Sequence, residues 1–216
     1  MRAYKFKSAA QADHIFDILL NQRLYCAPLH VLNDPMEGTF AYSYRGNGEA
    51  KSARDLANAV LEAIKSLRVC SLSATFDSHL LWAHYANGFN GVTVEVELPE
   101  AGPDIQSVRY RGVFGQFGYA PDTCANVMAR NVLLSKYQEW EYEREIRIVS
   151  EAEWYKLEKP VSRLIAGHRL HPALFDALQI ICEQQGIDFR RVGIGDEGID
   201  ADGVDLYADR QRRRTA

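Results

Sequence analysis

Apolar residues recur along this chain with two periods. Ala12, Ile15, Phe16 and Leu19 fall at i, i+3, i+4 and i+7 behind Ser8, which predicts an amphipathic helix stopping near Asn21. Leu56, Val60, Ala63, Ile64 and Leu67 repeat that stripe and predict a helix over 50–66. Leu174, Ala177, Leu178 and Ile181 do so again after His171-Pro172, a helix start by local chemistry. Residues 122–136 predict a further helix, and 80–86 a short one capped by Asp77 or Ser78. The period-two signal is clearest in Val92, Val94, Val96 and Leu98, which alternate with Thr93, Glu95 and Glu97 and predict a strand with one apolar face. Shorter strands are predicted at 3–7, 24–27, 68–74, 108–110, 162–166 and 190–194. Turn residues fill 32–38 and 87–91, and an exposed loop is predicted over 195–205. Helices and strands mix without a regular βαβ rhythm, so the expected class is α+β, with a mixed or antiparallel central sheet flanked by helices.

One stretch breaks the usual economy of strands. Residues 140–149 read Trp-Glu-Tyr-Glu-Arg-Glu-Ile-Arg-Ile-Val. As a single extended strand this places Glu141, Glu143, Glu145 and Arg147 on one face, with successive same-face residues about 7 Å apart. Glu143 and Glu145 are the paired carboxylates that general acid/base or charge-stabilising chemistry requires, whereas Glu141 is expected to be solvated. The alternative is a wet sheet face on which these charges form weak ion pairs.

Composition narrows the field. The 216 residues are 47% apolar and 11% aromatic, enough for a sizeable packed core rather than a disordered chain. A net charge of −4 argues against a dedicated nucleic-acid coat, although residues 210–216 carry a basic cluster read as a flexible tail beyond a single domain at 1–209. Cys26, Cys70, Cys124 and Cys182 are far apart and form no zinc-type pair, so no metal site is assigned to them. No apolar run is long enough to span a membrane and the first residues lack a secretory segment, which makes the cytoplasm the expected location.

Three stretches taken together carry a resemblance. Asn33-Asp-Pro-Met-Glu37, Leu81-Trp-Ala-His-Tyr-Ala86 and Lys136-x-x-x-Trp140-Glu-Tyr-Glu-Arg-Glu-Ile-Arg147 resemble a family of prokaryotic proteins catalogued only as a domain of unknown function. The resemblance covers residues 4–149, with Phe89 standing where that family often carries a histidine. It implies no activity. The order of a basic first strand, a Ser-x-Ser strand and a Glu-x-Glu strand is in turn similar to the mono-ADP-ribosyltransferases. That likeness implies an ADP-ribosyltransferase-like fold and NAD as a consumed substrate. It puts Lys5 or Lys7 at the first-strand basic position, beside Tyr4, Ser71 and Ser73 in the serine motif, and Glu143 and Glu145 in the Glu-x-Glu pair. The first-strand residue is lysine here, where that family has arginine or histidine.

The chemistry so implied is specific. Cleaving the nicotinamide bond of NAD builds positive charge on the ribose, and a carboxylate beside the ribose hydroxyls stabilises that state above the ground state. Glu145 is the candidate, with Glu143 orienting the incoming nucleophile, His84 as a further catalytic candidate, and Trp82 or Tyr85 stacking on nicotinamide. Asn33, Asp34 and Glu37 are expected to shape a turn. Asp34 or Glu37 could instead join Glu143 and Glu145 around Mg²⁺ in a phosphodiesterase or nuclease. A third reading is a non-catalytic interaction or effector-binding domain. No residue pattern specifies the acceptor, whether protein, nucleic acid or small molecule.

Overall fold

The structure is a computed structural model that describes residues 1–44, 50–100, 102–112, 115–119, 123–195 and 198–200. The basic tail expected at 210–216 lies outside the described residues. The chain is mixed α and β and forms two compact units, one of Met1–Leu24, Leu72–Glu100 and Lys156–Ala216, the other of Tyr25–Ser71 and Ala101–Tyr155. Among the described residues no helix is long and apolar enough to cross a membrane.

The first unit is built on a mixed sheet. Its Arg2–Ser8 strand pairs antiparallel with Gly91–Glu97 along its full length, from Arg2 opposite Glu97 to Ser8 opposite Gly91. Gly91–Glu97 pairs antiparallel on its other side with Arg163–Ala166, which in turn runs parallel to Asp188–Arg191. The central strand is covered on both faces: Thr93 and Glu95 are buried along with Val92, Val94 and Val96. The polar face expected of it is therefore not a wet one. Glu95 accepts a bond from the Ser162 hydroxyl at 3.1 Å, with Arg163 at 3.9 Å. Tyr4 and Phe6 reach from the first strand into an apolar cluster with Leu81, Trp82, Ala86 and Ile165.

The second unit holds a helix pair and several short strands. Helices Ala50–Ser66 and Ala125–Leu133 meet through Val60, Ile64, Met128, Ala129 and Val132, and the cluster extends to Val69 and Val149. The 50–66 helix has the bounds its apolar stripe predicted. Val149 belongs to the Glu145–Ser150 strand, which pairs antiparallel with Ile105–Ser107 and lies next to the strand containing Arg68 to Ser71. Ser135–Tyr137 runs parallel to Arg109–Arg111.

Three local expectations are corrected. The helix predicted over 122–136 ends at Leu133, and Lys136 sits on the following strand. The loop predicted over 195–205 begins with paired segments, Gly193–Gly195 against Gly198–Asp200, with Ile199 buried; residues 201–205 lie outside the described residues. The charged strand is shorter than its alternation suggested. Gln138–Glu143 is a 3-10 helix, Arg144 takes a left-handed conformation with φ of 44°, and the strand starts only at Glu145.

Candidate functional site

That left-handed turn assembles the charged site, which lies wholly in the second unit. Glu143, last in the 3-10 helix, and Glu145, first in the strand, fall on either side of Arg144, so their carboxylates are not spaced by strand rise. Both close on one ammonium group instead. Lys136 Nζ donates to Glu143 Oε2 at 2.5 Å and to Glu145 Oε2 at 3.1 Å, and stands 3.7 Å from Glu37 Oε1. The Trp140 ring lies beside the same nitrogen, 4.9 Å from centroid to Nζ, a cation–π contact that shields it further.

Arg147 ties the other side. Its Nε and Nη2 donate to the two oxygens of Glu145 at 2.7 and 3.0 Å. Its Nη1 donates to Glu37 Oε2 at 2.7 Å and to the Leu133 carbonyl, while Nη2 also donates to Glu37 Oε1. The planar guanidinium thus makes fork-like pairs with two carboxylates at once, a geometry an ammonium cannot reproduce. The Ser71 hydroxyl bonds to Glu145, and the Glu145 backbone N–H donates to the Tyr110 hydroxyl at 2.7 Å.

All five charged side chains are buried, from 0% exposed for Arg147 to 5% for Lys136 and Glu143. Three carboxylates against two cations leave the cluster one formal negative charge. Burial pushes the Glu145 carboxyl up, but Arg147 and Lys136 outweigh it and hold the group at about 2. Burial likewise works against the Lys136 ammonium, and Glu145 and Glu143 overcome it, leaving its pKa above the ordinary value. The Tyr110 hydroxyl is pushed up chiefly by burial. Glu145 is therefore an ionised, fully bonded carboxylate at neutral pH and a poor proton acceptor there.

A cleft of about 440 Å³ opens beside this cluster, within the same unit. Glu37 belongs to both. The cleft wall comes from the turn-rich segment that starts at Pro28 and from Ile64 and Lys65 at the end of the long helix. Asp34 lines it and is 7% exposed; its Oδ1 accepts the Met36 backbone N–H at 2.9 Å, the self-bonded turn expected of an Asp before Pro35. Asn33 is exposed and outside the cleft lining.

No protein-family model, curated protein or solved structure matches this chain.

The remaining candidates from the sequence divide between the units. Ser71, Glu37, Glu143 and Glu145 come together in the second, as just described. Tyr4, Lys5, Ser73, Trp82, His84 and Tyr85 belong to the first. There Tyr4 pairs with Ser73 across the sheet, and Lys7, the alternative to Lys5, is buried with Nζ 3.0 Å from His14 Nδ1. Trp82 has no exposed surface: its ring stacks on Phe89 at 5.3 Å, Phe6 meets its edge, and its indole N–H donates to the Phe76 carbonyl at 2.7 Å. It offers no face to a nicotinamide. Tyr85 is half-buried and packs on the same core, and His84 is exposed at the end of its short helix, 6.3 Å from the Tyr85 ring.

Sequence reasoning missed Lys136 and Tyr110 as members of the site, and placed Arg147 beside the glutamates only as a partner in weak ion pairs on a wet face. A lysine four residues before Trp140 and an arginine two after Glu145 were visible, but nothing in their spacing says that both are buried. Their roles also bear on the metal alternative. Lys136 and Arg147 occupy the positions between the carboxylates that a divalent ion would need. Among the described residues no group of three or more His, Cys, Asp or Glu side chains is arranged to hold a metal.

Proposed function

We propose that this chain is a small-molecule-binding, effector-type domain, in which the buried ion cluster is a frame and the cleft beside Glu37 is the binding surface. One observation carries this reading. Both oxygens of Glu145 are taken by Lys136 and Arg147 and the side chain is 3% exposed, so it has nothing left to offer a reacting group. The open space beside the cluster is the cleft, whose volume is within the roughly 300–1,000 Å³ typical of small-ligand sites. Glu37 connects the two, because it lines the cleft while Arg147 fixes its carboxylate.

A second reading keeps one specific support. The bond between Ser71 and Glu145 joins the Ser-x-Ser and Glu-x-Glu strands, as the likeness to ADP-ribosyltransferases and their fold implies. An NAD-consuming reaction would require Glu145 to exchange Arg147 and Lys136 for the ribose hydroxyls.

Incubation of the purified protein with NAD, followed by chromatography for nicotinamide, separates the two. The binding reading expects no release above the protein-free control, while small ligands of the cleft raise the melting temperature by mass action. Nicotinamide release that disappears in a folded Glu145→Gln variant would sink the binding reading in favour of transfer.

A further inference from the structure

The cleft has a chemical bias that its charges reveal when taken one at a time. Lys65 points its ammonium to Glu62, 2.6 Å away on the same helix, with a side chain 69% exposed. Glu37 is bonded by Arg147 on both oxygens. Asp34 differs from both. It is more than nine-tenths buried, and among the described residues its one side-chain bond is the Oδ1 contact to the Met36 N–H. Among the described residues no Lys, Arg or His nitrogen pairs with it. Its second oxygen is not among the sealed, partnerless atoms of the interior, so on the cleft wall it remains open to a donor that a ligand brings.

The rest of the lining is His30 and five apolar residues, Pro28, Leu29, Leu32, Pro35 and Ile64. Leu29, Leu32 and Ile64 also belong to the core of the unit, so these walls stand ready before a ligand arrives. The loop is closed tightly at Gly38. Its φ of +75° suits glycine, and a Cβ there would come within 2.6 Å of Leu29 Cδ2.

We infer that the cleft between Pro28 and Glu37 and the end of the 50–66 helix binds a small organic cation, an ammonium group on an apolar body, with Asp34 as its anchor. This deepens the binding function proposed above and rests on it. The ammonium donates to the Asp34 carboxylate, and the apolar body lies on Leu29, Leu32 and Ile64. A dinucleotide, with its paired phosphates, is repelled by the same carboxylate.

The test uses three probes with one apolar body: 2-phenylethylamine, 2-phenylethanol and phenylacetate. Each is titrated into the full chain while the backbone amide resonances of Leu32, Met36 and Ile64 are followed by NMR. The amine is expected to bind about tenfold or more tightly than the alcohol, the difference made by a charge-assisted hydrogen bond. Asp34→Asn keeps an oxygen for the Met36 N–H and is expected to bring amine affinity down to that of the alcohol. Shifts at these residues with no preference for the amine overturn the cation assignment and leave the binding function standing. An amine preference that survives Asp34→Asn also overturns it, because the anchor is then elsewhere. If none of the probes moves these resonances, the inference and the binding function fall together.

Discussion

Arg147 has no exposed surface and holds two carboxylates, so its removal strands both in the interior. An Arg147→Met variant fills similar volume yet leaves Glu37 and Glu145 with only Lys136 between them. Breaking a buried pair in this way costs about 3–5 kcal/mol, because the remaining charge is uncompensated. Urea denaturation of the variant should show a loss of that size, and a loss under about 1 kcal/mol, the range of exposed pairs, would mean that the cluster is solvated. The carboxylate pair itself was legible from the sequence, since Glu143 and Glu145 stand two apart in a run otherwise suited to a strand. The cations were not. A lysine or arginine is exposed by default, and only the packing of Leu133, Trp140 and the neighbouring strand withdraws these two from water.

At the level of elements, Arg144 decides how the charges meet. Its left-handed backbone, φ 44° and ψ 50°, ends the 3-10 helix and turns Glu145 back toward Lys136. An L-residue with a Cβ is strained there by about 1 kcal/mol, whereas glycine is not. Arg144→Gly is therefore expected to stabilise the protein by up to about 1 kcal/mol, measured as a shift of the denaturation midpoint at constant slope. In an unbroken strand over 140–149 the same change would destabilise by a similar amount, so the sign of the effect separates the two conformations. Alternation could not find this turn, since period-two charge continues smoothly through it. Periodicity succeeded where the whole segment obeys one rule, as in Ala12–Asn21, Ala50–Ser66 and Pro172–Gln185. It overran where a helix gave way to a strand, at Leu133 to Lys136, because the tertiary pairing of Ser135–Tyr137 with Arg109–Arg111 outweighs helix propensity there.

For the molecule as a whole, acid should reach the cluster through Glu145. Glu145 titrates at about 2 in the fold against an ordinary 4.5, so the unfolded chain binds its proton first as pH falls. Its stabilisation is complete above about 4.5 and is lost progressively as pH drops toward about 2. Urea midpoints measured across that window should fall with pH, and Glu145→Gln should flatten this part of the profile; an equally steep profile in the variant would assign the acid loss to other groups. By itself the sequence determined the mixed α and β character, the long helices, the buried apolar stripes and the two glutamates that head the site, because each is written in local period and residue type. Tertiary structure alone decided that Lys136 and Arg147 leave water to clamp those glutamates, that Trp82 is sealed in a core, and that Asp34 faces a cleft. Burial and counter-charge depend on which distant segments pack together, and no local pattern carries that information.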